Sequence, residues 1–286
     1  MKRKFLISFA SVSCSCYALL LLGVPHVDAV VAENTAPLVV GETFTIDSKA
    51  VAEARRINVY LPPGYAQSPD AKLPVLYMPD GGVSEDFVHV AGLVQVLTGN
   101  GTMRPFLLVG IENTQRRRDM TGPTESEKDK KIAPKVGQSA AFRKFLRDEL
   151  MPEVKRRYRT TNESAIVGES LAGLFVIETF LLEPNLFDTY LAFDPSLWWN
   201  GQALIGRAAD SLHNLPESEK TLYFASSSDG TPEITESFAE VLRKEAPVRL
   251  RWHYEKMPEE KHSTIYHPAA LKAFRAVFKP SGKTGE

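Results

Sequence analysis

The sequence predicts an α/β fold with a mostly parallel central sheet, helices on both faces of that sheet, and antiparallel strands at its N-terminal edge. From residue 73 onward, short apolar runs typical of buried strands alternate with longer helix-like segments. Two strand-like segments, 43–47 and 57–61, come before this alternation with no helix between them. The 286 residues contain no internal repeat and no low-complexity linker that would divide the chain.

Each predicted element depends on a local pattern. Strands are assigned where a short apolar run ends at turn residues, as residues 73–78 do at Pro79-Asp80-Gly81-Gly82. The predicted strands are residues 43–47, 57–61, 73–78, 106–111, 164–167, 189–193, 221–225 and 248–254. The predicted helices are residues 87–97, 142–158, 171–182, 202–212, 234–244 and 269–278. The polar stretch 112–136 has the length of a functional loop or mobile flap.

The N-terminus has the pattern of a secretory signal peptide over residues 1–32. Lys2, Arg3 and Lys4 precede a largely apolar stretch, and small residues at Val30-Val31-Ala32 offer a cleavage site. A retained membrane anchor is the alternative. Residues 33–280 are predicted to form a single domain, with residues 281–286 as a flexible tail. The expected location is therefore the periplasm or the secreted fraction.

Composition excludes several function classes. Both cysteines, Cys14 and Cys16, lie in the predicted signal peptide, so the remaining chain has no disulfide and no thiolate chemistry. The formal net charge is −1, and Arg116-Arg117-Arg118 is a short cluster rather than a basic face, so nucleic acid is not an expected partner. No zinc-binding spacing and no phosphate-binding loop occurs.

Ser170 is the candidate nucleophile. Gly168-Glu169-Ser170-Leu171-Ala172-Gly173 lies between a predicted strand and a predicted helix, which is how a nucleophile elbow presents a serine. Gly137-Gln138-Ser139-Ala140-Ala141 also fits the short motif, but no strand precedes it. Ser139 is therefore expected in a helix N-cap region instead.

A serine nucleophile needs a histidine base and, in most cases, a carboxylate that orients it. Three histidines come late enough in the chain, namely His253, His262 and His267. His262 lies in a polar loop after the last strand and is the candidate base. Asp229 follows the preceding strand and is the candidate acid. The alternatives are Glu233, Glu236, Asp194 and Glu260, or a serine–histidine pair without a third member.

The remaining site predictions concern the oxyanion hole and the substrate pocket. The amide of Leu171 and the amide of Gly82, in the turn after Asp80, are the predicted oxyanion donors. Trp198 and Trp199 would point in opposite directions on an extended segment, so one would line the substrate pocket while the other packs in the core. This machinery needs no cofactor.

Several segments together resemble the putative-esterase branch of the α/β-hydrolases, which contains esterase D-like enzymes, feruloyl esterases, mycolyltransferases and siderophore trilactone esterases. The segments lie in the family's order and span nearly all of the chain after residue 32. They are Asn58-Val59-Tyr60-Leu61-Pro62-Pro63-Gly64-Tyr65, Pro74-Val75-Leu76-Tyr77-Met78-Pro79-Asp80-Gly81, Val109-Gly110-Ile111-Glu112-Asn113-Thr114, Arg118-Asp119-Met120-Thr121, the Ser170 elbow, Pro195-Ser196-Leu197-Trp198-Trp199 and the His262 loop.

The resemblance implies an α/β-hydrolase fold with Ser170 as nucleophile, His262 as base and Gly82 as an oxyanion donor. Two departures from the family pattern stand out: Ala172 replaces the usual glycine of the elbow, and Glu169 places a carboxylate beside the nucleophile. The siderophore-esterase-like group matches best, and there Arg116 to Arg118 would face an anionic substrate, with Trp198 and Arg118 as the candidate substrate-binding residues. The alternative is that the arginines are solvated loop charges.

The resulting hypothesis is an exported serine carboxylester hydrolase that forms an acyl-enzyme on siderophore-type or aromatic esters. Its expected partner is a small-molecule ester, with no cofactor, no nucleic acid and no stable membrane association after signal removal. An acyltransferase with the same serine and histidine, or a non-catalytic binding protein with the same fold, is the alternative.

Overall fold

The computed structural model describes residues 35–280. The predicted signal peptide, 1–32, and the predicted tail, 281–286, lie outside the described residues. The chain divides into two units, Met1–Val39 and Val40–Glu286. Of the first unit, residues 35–39 are described, and they have no regular secondary structure.

The second unit contains one eight-stranded sheet in the order β1-β2-β4-β3-β5-β6-β7-β8. The strands are β1 (Glu42–Ser48), β2 (Glu53–Tyr60), β3 (Leu73–Pro79), β4 (Leu107–Ile111), β5 (Thr160–Glu169), β6 (Thr189–Phe193), β7 (Lys220–Ser226) and β8 (Leu250–Lys256). β2 pairs antiparallel with both β1 and β4, and every other neighbouring pair is parallel. The predicted mostly parallel sheet with antiparallel strands at the N-terminal edge is confirmed.

Helices cover both faces of this sheet. They are α1 (Phe87–Gly99), α2 (Arg116–Asp119), α3 (Glu127–Lys130), α4 (Ser139–Phe145), α5 (Met151–Arg157), α6 (Leu171–Leu182), α7 (Trp199–Gly206), α8 (Ala208–His213), α9 (Pro232–Glu245) and α10 (Tyr266–Val277). Within the described part of the chain, no helix is both long enough and apolar enough to cross a membrane.

The strand side chains alternate between two apolar cores. On β3, Val75 and Tyr77 contact the core that contains α4, α6 and α9, whereas Leu76 and Met78 contact the core under α1 and α10. This period-two pattern, with both faces buried, explains why the central strands appear in the sequence as unbroken apolar runs.

Two predicted helices are interrupted in the structure. The helix predicted over 142–158 is α4, a π-helical turn at Leu146–Leu150, and α5. The turn ends two residues before Pro152, which has no backbone N–H to continue the helical ladder. The helix predicted over 202–212 is α7 and α8, and Asn200, Gly201 and Gln202 within α7 have positive φ angles.

The polar stretch 112–136 is anchored rather than free. It contains α2 and α3, and Arg118, Asp119 and Met120 within it are buried. Asp119 accepts a hydrogen bond of 2.7 Å from Arg55, whose fully buried guanidinium lies 5.1 Å from the centre of the Phe142 ring. A buried ion pair next to an aromatic ring holds this stretch against the body of the fold.

Candidate active site

Ser170 occupies the sharp turn between β5 and α6. Its φ of 60° and ψ of −119° are strained for a residue with a side chain, as expected for a nucleophile elbow. A Cβ added to Gly168 would lie 2.7 Å from the Cβ of Ala172, and one added to Gly173 would lie 2.9 Å from the carbonyl oxygen of Phe193. The elbow therefore needs glycine at 168 and 173 but accommodates the methyl group of Ala172.

His262 lies in the loop between β8 and α10 and reaches the serine. Its Nε2 is 3.0 Å from the hydroxyl oxygen of Ser170, and its Nδ1 is 3.0 Å from Oδ2 of Asp194. The three side chains form a continuous hydrogen-bonded series of nucleophile, imidazole and carboxylate. This series is what a serine needs in order to lose its proton during attack.

Asp194 is the carboxylate in contact with the imidazole, although Asp229 was the predicted acid. Asp194 follows β6, which pairs with β5 in the register Glu169 opposite Phe193, so Ser170 and Asp194 leave adjacent strand ends together. The carboxylate is buried, and the Ser227 backbone amide donates to its Oδ1 at 2.6 Å while the Ser227 hydroxyl donates to Oδ2. Both oxygens are thus held by fixed donors.

Asp229 holds the loop of His262 rather than its ring, which corrects the prediction. Its Oδ1 accepts a hydrogen bond of 2.6 Å from the backbone amide of His262. That hydrogen bond is the main reason that the pKa of Asp229 is lowered. Asp229 is exposed in the turn after β7, and from there its carboxylate contacts the backbone of the His262 loop and not the imidazole.

Two of the other carboxylates left open by the sequence have partners other than the imidazole. Glu236 forms ion pairs with Arg243 and Lys256, and Glu260 accepts a hydrogen bond from Thr264. One sequence signal pointed to Asp194 instead: it directly follows the strand that comes after the elbow helix. In a parallel sheet that strand is often the immediate neighbour of the elbow strand.

The charge environment favours a protonated imidazole. The hydrogen bond to Asp194 is the largest cause of the raised pKa of His262, burial opposes it, and the negative charges of Glu169, Asp194 and Asp229 add to it. An imidazolium at this position is therefore stabilised by the surrounding carboxylates.

The two predicted oxyanion donors differ in their surroundings. Leu171 is the first residue of α6, where a backbone N–H has no partner within the helix and the helix dipole favours negative charge. The Gly82 amide instead donates to Oε2 of Glu85 at 2.7 Å. Its turn is tightly packed, because a Cβ on Gly81 would lie 2.3 Å from the Cα of Gly110.

The three consecutive arginines have different roles in the structure. Arg116 binds both oxygens of Asp80 at 2.7 and 2.8 Å and lies near the elbow. Arg117 is exposed, whereas Arg118 is buried and pairs with Glu53 and Asp119. The expectation that Arg118 contacts a substrate is corrected, because both of its charge partners are internal.

Trp198 and Trp199 do not lie on an extended segment as expected. Trp198 has helical backbone angles at the start of α7, and the two ring centres are 6.0 Å apart. Trp199 is buried and donates its indole N–H to the Gly122 carbonyl at 2.9 Å, while Trp198 is half-buried. Trp198 is thus the one of the two with surface left for a ligand.

Ser139, in the second copy of the short motif, does not have the surroundings of a nucleophile. It is the first residue of α4 and not its N-cap, which is Gln138. Its hydroxyl is buried and makes no hydrogen bond within the part of the chain that the structure describes. Among residues 35–280 no group of three or more His, Cys, Asp or Glu side chains is arranged to hold a metal ion.

The fold and the Ser170 elbow define an α/β-hydrolase. Residues 48–276 match the model of the family described as "Putative esterase", and the chain belongs to this family, which is a branch of the α/β-hydrolase superfamily. The resemblance predicted from the sequence segments is confirmed.

Individual relatives are similar over part or most of the chain. The ferri-bacillibactin esterase BesA of Bacillus subtilis is 32% identical over 165 residues, which are 52% of this chain and 56% of the relative. The siderophore triacetylfusarinine C esterase of Aspergillus fumigatus is 28% identical over 48% of both chains. The chain thus spans about half the length of these curated relatives.

The crystal structure of an IroE-like serine hydrolase from Shewanella oneidensis superposes with a TM-score of 0.75 at 29% identity. The superposition covers 84% of this chain and 80% of that chain. A BES protein from Bacillus cereus has the same TM-score at 21% identity, over 88% of this chain and 100% of that chain, and shows the shared fold.

Proposed function

We propose that this protein is an exported serine carboxylester hydrolase that acts through an acyl-enzyme. The observation that supports it most is the series Ser170 Oγ, His262 Nε2, His262 Nδ1 and Asp194 Oδ2, with 3.0 Å at each hydrogen bond, on a strained elbow. A buried aspartate, a half-exposed imidazole and a serine at a strand end form the arrangement that acyl transfer requires.

In the proposed reaction, the Ser170 hydroxyl oxygen attacks the ester carbonyl carbon while its proton moves to Nε2 of His262. The resulting imidazolium returns that proton to the leaving alkoxide as the ester bond breaks, which leaves an ester to Ser170. Water then attacks this acyl-enzyme, gives its proton to Nε2, and the acid product departs as Ser170 regains a proton. Asp194 holds the imidazole with Nδ1–H toward it throughout.

The oxyanion of each tetrahedral intermediate would be stabilised by backbone amides. Leu171 supplies one donor at the N-terminus of α6, whose partial positive charge adds to the effect. Gly82 supplies the second once the Glu85 carboxylate has moved from its amide. A substrate carbonyl oxygen and the Glu85 carboxylate would therefore compete for the amide of Gly82.

The proposed substrates are siderophore esters, with aromatic esters as the wider class. The relative named as a siderophore triacetylfusarinine C esterase and BesA, named as a ferri-bacillibactin esterase, support this choice. Arg117, which lies in the anchored stretch 112–136, is exposed and forms no ion pair with any residue in 35–280, so it offers a positive charge to the anionic parts of such a molecule. Export is proposed from the signal-peptide pattern of residues 1–32.

The test is hydrolysis of an aryl ester and of a panel of catecholate and hydroxamate siderophore esters by wild type, Ser170→Ala and Ser139→Ala. Ser139→Ala is a matched control because it removes the same hydroxyl from the other copy of the motif. We expect Ser170→Ala to lose at least about 10³-fold in kcat and Ser139→Ala to keep activity. Full activity of a folded Ser170→Ala would contradict the mechanism, and no turnover of any siderophore ester by wild type would contradict the substrate class.

A further inference from the structure

Glu169, the residue before the nucleophile, directs its carboxylate into the catalytic centre. Its Oε1 lies 3.2 Å from Nε2 of His262, almost as close as the Ser170 hydroxyl oxygen at 3.0 Å. The imidazole therefore has Asp194 at Nδ1 and two oxygens, those of Ser170 and Glu169, at Nε2.

The carboxylate oxygen of Glu169 has no hydrogen bond that would explain its burial. Oε1 is buried and makes no hydrogen bond to any residue in 35–280, and the side chain is only 15% exposed. A buried carboxylate in a purely structural role is normally satisfied by donors. Here a possible donor, the reactive nitrogen of the base, lies 3.2 Å away.

The other charged groups around Glu169 do not neutralise it. Arg116 approaches from α2, but its guanidinium binds Asp80 in a bidentate manner and reaches only the backbone oxygen of Glu169, at 3.4 Å. Asp80 at the end of β3 and Asp194 at the end of β6 add negative charge. Burial is the largest effect and raises the pKa of Glu169 to about 7, against the opposing attraction of His262 and Arg116.

We propose that Glu169 and His262 share one proton at Nε2, so that Glu169 is a residue that sets the pH at which the base becomes available to Ser170. This inference rests on the proposed function, because it assigns Nε2 the role of accepting the serine proton. When the Glu169 carboxylate is ionised, it stabilises the imidazolium and delays its loss of the proton as pH rises. When Glu169 is protonated and neutral, its carboxyl O–H can donate a hydrogen bond to the lone pair of Nε2.

Two groups this close that ionise in the same pH range titrate as a pair rather than singly. Asp194 and Asp229 also face His262 and raise its pKa, but neither contacts Nε2. Removing only the Glu169 charge should therefore lower the pKa of His262 and leave its hydrogen bond to Asp194 intact. The acid limb of kcat/KM against pH should move to lower pH.

The experiment compares wild type, Glu169→Gln, Glu169→Asp and Glu259→Gln. Glu259→Gln is the matched control, since it makes the same chemical change at an exposed position in the loop that carries His262. Two readouts are used: the NMR titration of the His262 imidazole nitrogens and the pH profile of kcat/KM on an aryl ester. Thermal unfolding checks that each variant is folded.

In wild type we expect a His262 titration with two inflections, and in Glu169→Gln one inflection at lower pH. The kcat/KM of Glu169→Gln relative to wild type should rise as pH falls, Glu169→Asp should return toward the wild-type midpoint, and Glu259→Gln should match wild type. A His262 midpoint unchanged in Glu169→Gln, or a loss of activity equal at every pH, would overturn the proposal. The NMR titration needs no turnover, so failure of the proposed hydrolase activity would be seen separately.

Discussion

Replacing Asp194 by asparagine tests which carboxylate serves the base. Oδ1 of Asp194 accepts from the fixed backbone amide of Ser227 at 2.6 Å, while Oδ2 accepts from His262 Nδ1 at 3.0 Å. The asparagine oxygen must therefore take the Oδ1 position, because an NH₂ group there would face another donor. Its NH₂ group then points at Nδ1 of His262.

The consequence is the wrong imidazole tautomer. Nδ1 must become an acceptor, so the proton moves to Nε2, and Nε2 can no longer accept the proton of Ser170. An equivalent change in a serine–histidine–aspartate triad lowers kcat by about 10⁴-fold, or about 5 kcal/mol at 1.36 kcal/mol per tenfold. Asp194 is buried and fully enclosed by its donors, so an effect of that order is expected here.

The assay is steady-state hydrolysis of an aryl ester by wild type, Asp194→Asn and Asp229→Asn. In Asp229→Asn the side-chain carbonyl can still accept the His262 backbone amide, so we expect less than about a tenfold loss of kcat. Activity of Asp194→Asn within tenfold of wild type, together with a large loss in Asp229→Asn, would refute the assignment of Asp194.

Two further predictions concern the support of the site and of the anchored stretch 112–136. A Cβ on Gly230 would lie 2.0 Å from Oδ2 of Asp194, so Gly230→Ala should displace that carboxylate. We expect kcat to fall by at least about tenfold, and wild-type kinetics in this variant would contradict the packing described. Burial opposes ionisation of Glu53, but hydrogen bonds from Arg118, Thr114 and Arg55 outweigh it and lower its pKa from 4.5 to about 2. Because the folded pKa is depressed, Glu53 contributes stability above pH 4.5 that is lost as pH falls from 4.5 toward 2, on the order of 1 kcal/mol because solvent screens this partly exposed carboxylate. Urea unfolding from pH 3 to pH 7 should show this loss in wild type and a smaller one in Glu53→Gln; equal pH dependence would contradict it.

Most of the fold could be predicted from local pattern. The run at 189–193 and the helix at 171–182 coincide with β6 and α6, because unbroken apolar runs on central strands and a long apolar helix leave few alternatives. Predictions failed where the backbone departs from a regular α-helix. Pro152 follows a π-helical turn, and the helix predicted over 202–212 is divided at Arg207, which caps both α7 and α8.

The elbow was also predictable, since its signal is local: a strand, a short glycine-containing turn and a helix. That context separates Ser170 from Ser139, although both fit the same short motif. The loop of His262 was predictable from its position after the last strand. Arg118 was not, because its burial depends on Glu53, which is 65 residues away in the chain.

The sequence by itself determined the class of fold and indicated the candidate nucleophile and the candidate base, because apolar periodicity and a strand–turn–helix motif are properties of neighbouring residues. Only the tertiary structure decided which acid meets the imidazole. Asp229 is 33 residues from His262 and Asp194 is 68, yet the register of β5 with β6 places Asp194 at the ring. The tertiary structure likewise placed the Glu169 carboxylate next to Nε2 of His262. This contact depends on how the end of β5 and the loop after β8 pack together, which neighbouring residues in the sequence do not reveal.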